Sequence, residues 1–356
     1  MYLFETIPNY MIFIYRSLGI VQFCPETSNK IVKVFPYFFY VSLHLYFLHT
    51  CFKFPSDYMT LTFTGLFHYI DLLSTVGNVL SMITSLVMFH KRNKQLKFLL
   101  KETDKLEIYT NEKSRFSCIQ ILLFASIIGL ILTPFSKELP LNLSFFYFIP
   151  LFINIFDHIF LGDILKFVSF KFDMINDHLR TQIKTDDEDT KTNIRRVQEL
   201  SLFHYNLVGL IKKITGLFES TTLAAMWLWF GYMVESCYQI VQLLVHGNSS
   251  FWAIFALNCC FGLTQILWLC FLLQRFTTTQ NKANLTASYL HEIWNKYSQK
   301  GKIDPNVRYL QLIAIRFYNT KVRFTAKDFF NLDWTFGHLM IAAVATYVVI
   351  LVEIEI

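Results

Sequence analysis

The residues that call for a chemical explanation are polar side chains placed within long apolar stretches. One group, Tyr232, Glu235, Gln239 and Gln242, recurs at intervals of three, four and three residues. On a helix these side chains fall within about 80° of arc and share one face. Their hydroxyl, carboxylate and amide groups predict a face that hydrogen-bonds either a neighbouring helix or a small ligand.

A second apolar stretch carries a similar face. Tyr147, Asn154 and His158 fall within about 40° of arc on one predicted helix, and Asp157 adjoins them. Polar groups inside membrane spans are costly and face the protein interior. We therefore expect this face to meet the first one inside the bundle.

A third stretch contributes His68 and Asp71, which are spaced so that they can pair on a helix. Together with the indole of Trp227, the three faces predict one cavity in the outer half of the bundle. Such a cavity suits a small polar or amphipathic organic molecule. Polar contacts between helices, without any ligand, are the alternative interpretation of each of these residues.

The chain contains no sequence pattern that predicts catalysis. The serine nucleophile elbow, the His-Glu-x-x-His zinc motif and the phosphate-binding glycine loop are all missing from the sequence. Its seven cysteines include no Cys-x-x-Cys pair. We therefore expect neither an enzyme nor a bound metal or cofactor.

The composition places these polar faces in a membrane protein. Hydrophobic residues make up 54% of the 356 residues, and charged residues only 16%. Soluble domains carry about 25% charged residues, and the mean hydropathy here is +0.39. These values exclude a secreted disulfide module, a disordered regulator and an ordinary cytosolic enzyme.

Seven stretches are long and apolar enough to be predicted as membrane spans of about 20 residues. The fifth and sixth form a hairpin, because Gly247-Asn248-Ser249-Ser250 interrupts an apolar run that is too long for one helix. The stretches lie between Lys33 and Lys53, between Asp57 and Lys91, at 116–136, between Glu138 and Lys166, in two halves between Glu219 and Arg275, and at 334–352.

The basic residues predict the orientation of these spans. Connections 90–115 and 171–218 hold eight Lys and Arg each, and 275–333 holds ten. The positive-inside rule puts these connections in the cytosol, so we expect a cytosolic N-terminus and an extracellular C-terminus. The net charge of +6 then needs no nucleic acid. The orientation is the reverse of a G-protein-coupled receptor.

The last basic connection is predicted to contain a helix that does not cross the membrane. Asp304 and Pro305 are typical of an N-cap and a first helical residue. The apolar residues that follow recur at helical spacing, but the segment is too polar to span. We expect it to pack beneath the membrane through Val307, Leu310, Ile313, Ala314 and Phe317.

The C-terminal residues resemble a known family. Phe324-Thr325-Ala326 and Phe329-Phe330-Asn331-Leu332-Asp333 precede the last span, which contains Thr346-Tyr347, five hydrophobic residues and Glu353-Ile354. This order resembles the signature of insect gustatory receptors, in which Thr-Tyr and five hydrophobic residues precede Gln-Phe. Glu353 and Ile354 replace that final pair. Residues 198–218 and Arg16–Ile20 resemble other segments of the family.

The resemblance implies a chemosensory receptor of the plasma membrane that is a tetrameric ligand-gated cation channel. Its partners would be a small-molecule tastant, the lipid bilayer and identical or related subunits. The chain would divide into a cytosolic segment (1–30), a six-helix ligand-binding bundle (31–275), a cytosolic anchor segment (276–333) and a pore-lining helix (334–356). The family's topology is also seven spans with a cytosolic N-terminus.

The pore of such a tetramer would be lined by residues near the end of the last span. Four copies of Glu353 would ring the outer mouth and favour cations. Ile350 and Ile354 share one helix face, and facing the axis they would form a hydrophobic constriction that gates by dewetting. The small residues Gly337 and Ala342 allow other helices to approach closely.

Other functions stay open from the sequence. An insect odorant receptor subunit shares the topology, although Thr346-Tyr347 favours the gustatory type. A secondary transporter would show internal repeats and paired helix breaks, and a non-conducting scaffold is a further alternative. Val348 follows the Thr-Tyr pair where sugar receptors usually carry Glu. This argues against a sweet ligand and leaves bitter, contact-pheromone and nutrient ligands open.

Overall fold

The computed structural model describes six long segments of the chain. They are residues 66–105, 118–132, 141–184, 190–246, 251–299 and 305–355, together with single positions and short runs between residues 7 and 49.

The six long segments form eight helices and one short hairpin. In chain order the elements are α1 (Leu66–Lys105), α2 (Cys118–Leu132), α3 (Leu141–Lys184), α4 (Thr190–Gly216), α5 (Glu219–His246), α6 (Phe251–Ser298), α7 (Pro305–Asn319), β1 (Thr325–Ala326), β2 (Phe330–Asn331) and α8 (Trp334–Glu355).

The predicted spans correspond to helices in order. The first is helical over 41–47, where the structure describes it, and α1, α2, α3, α5, α6 and α8 match the rest. In the described segments three helices, α3, α6 and α8, are long and apolar enough to cross a bilayer by length and composition. Helices α1, α3 and α6 continue beyond the predicted spans, because the Lys, Glu and Gln residues there are good helix formers.

Helix α3 is the central element of the bundle. Its apolar stretch is 83% buried, whereas that of α8 is only 17% buried. The long contact between α3 and α6 depends on Gly162, where an added Cβ would lie 2.5 Å from a ring carbon of Phe271. A helix that is buried nearly all round must satisfy its polar groups within the protein.

His204 of α4 contacts three other helices, α3, α6 and α7, at the end of the bundle that contains the basic connections. Its Nε2–H donates to the carbonyl of Ala283 in α6 at 2.9 Å. The ring also lies 5.0 Å from Phe172 and 4.7 Å from Phe317, measured between centroids. Burial lowers the pKa of His204 to about 4, so the ring stays neutral at physiological pH and four helices share one uncharged contact.

Helix α7 matches the predicted non-spanning helix. It begins at Pro305, and Val307, Leu310 and Ala314 are buried. The face containing these residues packs on α6 and α4. The segment after it is held by Asn284 of α6, whose amide donates to the carbonyl of Val322 at 3.1 Å and accepts its N–H at 2.8 Å.

The hairpin explains the Phe-Thr-Ala part of the C-terminal motif. Thr325 pairs with Asn331, and Ala326 with Phe330, in antiparallel register. The turn needs left-handed backbone at Lys327 and Asp328, with φ of 50° and 60°. Asp328 tolerates this conformation, and its carboxylate accepts a bond from the Thr325 hydroxyl at 3.1 Å.

The last motif residue, Asp333, begins the helix that follows it. Its side chain accepts a hydrogen bond from the backbone N–H of Phe336 at 3.1 Å, which is the N-cap geometry. Gly337 then lets α8 approach α6, since a Cβ there would lie 2.7 Å from Leu273 Cδ1. The motif therefore fixes where α8 starts and how closely it packs.

Replacing Asp333 by Ala should lower the free energy of unfolding by about 1 kcal/mol, because the start of α8 loses its capping acceptor. We expect the melting temperature of the purified protein in detergent to fall by about 2 °C. Asp333→Asn is the control, because it keeps the acceptor. An Asp333→Ala protein that melts with the wild type would contradict this account of the cap.

Candidate functional site

A buried ion pair lies at the contact between α1 and α3. The guanidinium of Arg92 donates to both carboxylate oxygens of Asp157, at 2.5 and 2.9 Å, and the two side chains are 1% and 2% exposed. The Arg92 guanidinium carbon also lies 4.9 Å from the ring centroid of Phe218. The pair therefore ties α1 and α3 to the turn between α4 and α5.

This position corrects the sequence interpretation of two charges. Arg92 was counted among the eight basic residues of the predicted cytosolic connection 90–115, and Asp157 was placed beside the polar face of Asn154 and His158. Both side chains are buried because their charges neutralise each other. Either charge alone would be too costly to bury in an apolar interior. Spacing along one chain does not reveal a partner on another helix.

The second acid of the fourth predicted span is also satisfied inside the bundle. Asp163 accepts hydrogen bonds from the Tyr15 hydroxyl at 2.7 Å and from the Gln120 amide at 3.2 Å. Gln120 accepts in turn from Arg275 at 3.1 Å. This second network connects an N-terminal residue with α2, α3 and α6.

Two of the predicted ligand residues lie in a buried polar cluster between α1, α3, α5 and α6. The amide of Asn154 donates to the Ser81 hydroxyl at 2.9 Å. His158 bonds the Asn154 carbonyl through Nδ1 at 2.6 Å and the Thr222 hydroxyl through Nε2 at 3.2 Å. Its ring centroid lies 5.2 Å from that of Trp268 on α6. All these residues are buried.

Tyr232 joins the same cluster from α5. Its hydroxyl donates to the side-chain oxygen of Asn78 on α1. Its ring makes an edge-to-face contact with Phe261 at 5.2 Å, and Phe261 lies 6.4 Å from Phe148. The polar groups of the cluster are thus bounded by aromatic rings.

The cluster contains polar atoms that have no hydrogen-bond partner within the described part of the chain. They are both amide atoms of Gln265, the indole nitrogen of Trp268 and the amide nitrogen of Asn78. Gln265 is fully buried, and its backbone carbonyl accepts from the Trp229 indole at 2.8 Å. A buried polar atom without a partner costs about 1–3 kcal/mol, so these atoms are the ones in the cluster whose hydrogen-bonding capacity a bound ligand would use.

The other predicted ligand residues lie elsewhere or outside the described residues. Glu235 accepts from the Gln239 amide at 3.3 Å, and Gln242 is half-buried further along α5. Trp227 lies away from the cluster and is 60% exposed. The side chains of His68, Asp71 and Tyr147 lie outside the described residues.

The three predicted pore residues all lie on the exposed side of α8. Ile350 and Ile354 are 44% and 65% exposed, and Glu353 is exposed. At 100° per residue, Glu353 lies about 180° from Val344, which is buried against the bundle. Tyr347 of the Thr-Tyr pair instead contacts α5, with its ring 5.4 Å from Phe230 in an edge-to-face arrangement.

A comparison with known families identifies this helical architecture. The family model for the 7tm chemosensory receptor matches residues 9–356. The chain belongs to the 7tm chemosensory receptor family. None of the curated proteins matches this chemosensory receptor.

Solved structures share the fold of this chain. The insect olfactory receptor OR5 from Machilis hrabei in complex with eugenol has 12% identity and a TM-score of 0.69, with 99% of each chain covered. A second structure of OR5 from Machilis hrabei has 11% identity and a TM-score of 0.62, with 97% of each chain covered. The predicted all-α, seven-transmembrane fold of the chemosensory receptor is therefore confirmed.

The sequence interpretation did not include Asn78 or Gln265 of the receptor's cluster, and it took Trp268 as a packing residue. Asn78 and Ser81 are spaced by three residues, as are Gln265 and Trp268. That spacing was a usable signal. Uncharged polar residues are common in membrane helices, however, and their faces become informative only when the packing of α1 and α6 is known.

Breaking the Arg92–Asp157 pair from one side should destabilise the receptor strongly. In Asp157→Asn or Arg92→Met an uncompensated or poorly paired polar group stays buried, which costs about 3–5 kcal/mol. The double replacement Arg92→Met with Asp157→Leu should recover most of that loss. Thermal unfolding of the purified protein and its abundance at the cell surface measure both effects.

A surface pair provides the control for these variants. Arg195 and Glu199 are 3.3 Å apart and largely exposed, so Arg195→Met should change the free energy of unfolding by less than about 0.5 kcal/mol. A double variant no more stable than the single ones would show that Arg92 and Asp157 act separately.

Proposed function

We propose that this chemosensory receptor is a gustatory-type, tetrameric, ligand-gated non-selective cation channel of the plasma membrane of sensory cells. A small organic tastant bound among α1, α3, α5 and α6 would open it. The observation that carries the proposal is α8, which has mean hydropathy 2.1 yet is only 17% buried. An apolar helix with one small-residue face suits close assembly with identical helices around an axis.

The exposed face of α8 supports the predicted pore residues. The packed face includes Phe336, Gly337 and Val344, so Ala342, Thr346 and Glu353 point away from the bundle. With that side on a fourfold axis, four Glu353 carboxylates would attract cations at one mouth. Ile350 and Ile354 lie about 60° and 100° to one side of Glu353 around the helix, so Ile350 is the better placed of the two to narrow the pore next to the carboxylates.

The buried cluster supports a particular class of ligand. Among the described residues, Gln265 has no partner for its amide donor or its amide acceptor, and Trp268 has none for its indole donor. A hydroxyl group both donates and accepts, so a single hydroxyl can serve both residues. The charges of Arg92 and Asp157 compensate each other. The favoured tastant is therefore neutral, bears a hydroxyl and has an apolar body for the surrounding rings.

An insect odorant receptor subunit is the second candidate function. The fold similarity to OR5 from Machilis hrabei over 99% of the chain supports it, and the Thr346-Tyr347 pair supports the gustatory type. The two kinds of receptor differ in the physical state of the ligands that reach them. Responses to dissolved, non-volatile compounds alone favour taste, whereas responses to volatile compounds favour olfaction.

Glu353→Gln should reduce the selectivity of the channel for cations. Removing one carboxylate from each of four subunits weakens the attraction by roughly 1 kcal/mol, or about fivefold in the sodium-to-chloride permeability ratio. The measurement is the reversal potential of ligand-evoked current in oocytes under a salt gradient.

The control for this substitution is Glu199→Gln, which removes an exposed carboxylate of α4 far from the proposed pore. It should leave the reversal potential unchanged. A Glu353→Gln channel with the wild-type reversal potential would rule out Glu353 as a selectivity residue.

The ligand class is tested by pairing phenols with their O-methyl ethers, starting from eugenol, the compound bound to OR5 in its solved complex. The wild type should respond to the phenol at about tenfold lower concentration, because a lost buried hydrogen bond costs about 1–1.5 kcal/mol. Gln265→Leu should abolish that difference.

Gln280→Leu is the matched control, because Gln280 is half-buried on the same helix but lines a different, polar cavity. It should preserve the discrimination. Equal potency of phenols and ethers at the wild-type channel would contradict the proposed ligand class while leaving the channel assignment intact.

A further inference from the structure

A second cavity lies on the side of α5 that faces away from the polar cluster. It has a volume of about 960 Å³ and is bounded by α1, α5, α8 and the hairpin. We call it the α1–α5–α8 crevice. Its walls are almost entirely apolar and include Leu80, Val87, Trp227, Phe230, Phe329 and Met340.

The crevice opens outward rather than into the bundle. Val87, Trp227 and Phe329 are 67%, 60% and 77% exposed, although each is a large apolar side chain on or next to a membrane-spanning helix. Along the predicted spans, exposed apolar side chains face the hydrocarbon of the membrane, so the crevice is open to lipid.

The length of the crevice matches one leaflet of a bilayer. On α1 its lining runs from Gly77 to Met88, and on α5 from Ser220 to Phe230. At 1.5 Å per residue both walls are about 15–17 Å long. The hydrocarbon core of a bilayer is about 30 Å thick, so half of it is about 15 Å. An acyl chain of one leaflet therefore fits along the crevice.

The charges at one end of the crevice define the head group. Lys327 lines that end. Glu219 directly precedes the lining residue Ser220, and its carboxylate lies within electrostatic range of both Lys327 and Asp328. One cation and two acids complement a phosphate next to an ammonium group. They do not complement a head group with a net negative charge.

We propose that the α1–α5–α8 crevice binds a zwitterionic phospholipid. One acyl chain lies between α1 and α5, and the head group sits at Lys327 and Asp328. This acyl chain contacts Phe336 and Met340 of α8 on one side and Trp227 of α5 on the other. The lipid is thus part of the packing between the helix that carries Tyr232 and the helix that carries Glu353. The site goes beyond the proposed channel function and is measured without it.

Photo-crosslinking tests the site directly. The full-length protein is reconstituted in liposomes of phosphatidylcholine that contain a small fraction of phosphatidylcholine with a diazirine in one acyl chain. After irradiation, the labelled residues are mapped by mass spectrometry. We expect labelling to concentrate at residues 220–230 and 329–340, and added phosphatidylethanolamine to compete better than added phosphatidylglycerol.

Two tryptophan variants separate the crevice from the general lipid surface. Ala224→Trp fills the crevice from α5 and should reduce labelling there at least fivefold. Ala125→Trp adds the same side chain at an exposed position of α2 and should leave the labelling unchanged. Lys327→Gln should weaken it about fivefold, the effect of one surface cation on a phosphate.

If Ala224→Trp fails to fold, Phe329→Ala replaces it, because Phe329 is exposed in the hairpin. It should also reduce the labelling. Three results would overturn the proposal. They are labelling spread evenly over every exposed apolar face, labelling at the crevice that neither Ala224→Trp nor Phe329→Ala reduces, and stronger competition by phosphatidylglycerol than by phosphatidylethanolamine.

Discussion

Burial of charge in an apolar bundle is the constraint on which the rest of this receptor depends, and Arg92 and Asp157 meet it. Neither charge is tolerated alone in such an interior, so α1 and α3 must come together at one register for the two-pronged bond to form. Phe218 packs on the same guanidinium, which fixes the turn between α4 and α5 relative to that register. The neighbouring pairs Asn154–Ser81 and Tyr232–Asn78 join the same helices, so one requirement, repeated along the contacts, aligns α1, α3 and α5.

Helix α5 presents two different faces because of this alignment. The side with Trp229 and Tyr232 is buried among polar and aromatic groups, whereas the side with Trp227 and Phe230 faces the apolar crevice. Tyr347 of α8 rests on Phe230. A ligand bound in the buried cluster would therefore act on α8 through one helix, α5. The ligand can shift the gate only if its affinity differs between two arrangements of that helix.

The number and order of the membrane spans could be predicted from the sequence, because the apolar runs and the break at Gly247–Ser250 are properties of contiguous residues. Helix α7 was predicted from Pro305 and its apolar spacing for the same reason. The candidate site was predicted only in part. Asn154, His158 and Tyr232 carry a local signal, since each lies on a polar face of one helix. Gln265 and Trp268 gain their meaning from residues on other helices, and no spacing within one helix contains that information.

The sequence by itself determined that the chain is an all-helical membrane protein of the chemosensory type, because hydropathy and the C-terminal motif are properties of contiguous residues. Only the tertiary structure decided that Arg92 is an interior residue, that Trp227 lies on the opposite side of α5 from the cluster, and that the amide of Gln265 is buried without partners in the described segments. The physical reason is that burial and pairing depend on the distance between helices that are far apart in the chain. Those distances are set when the bundle packs.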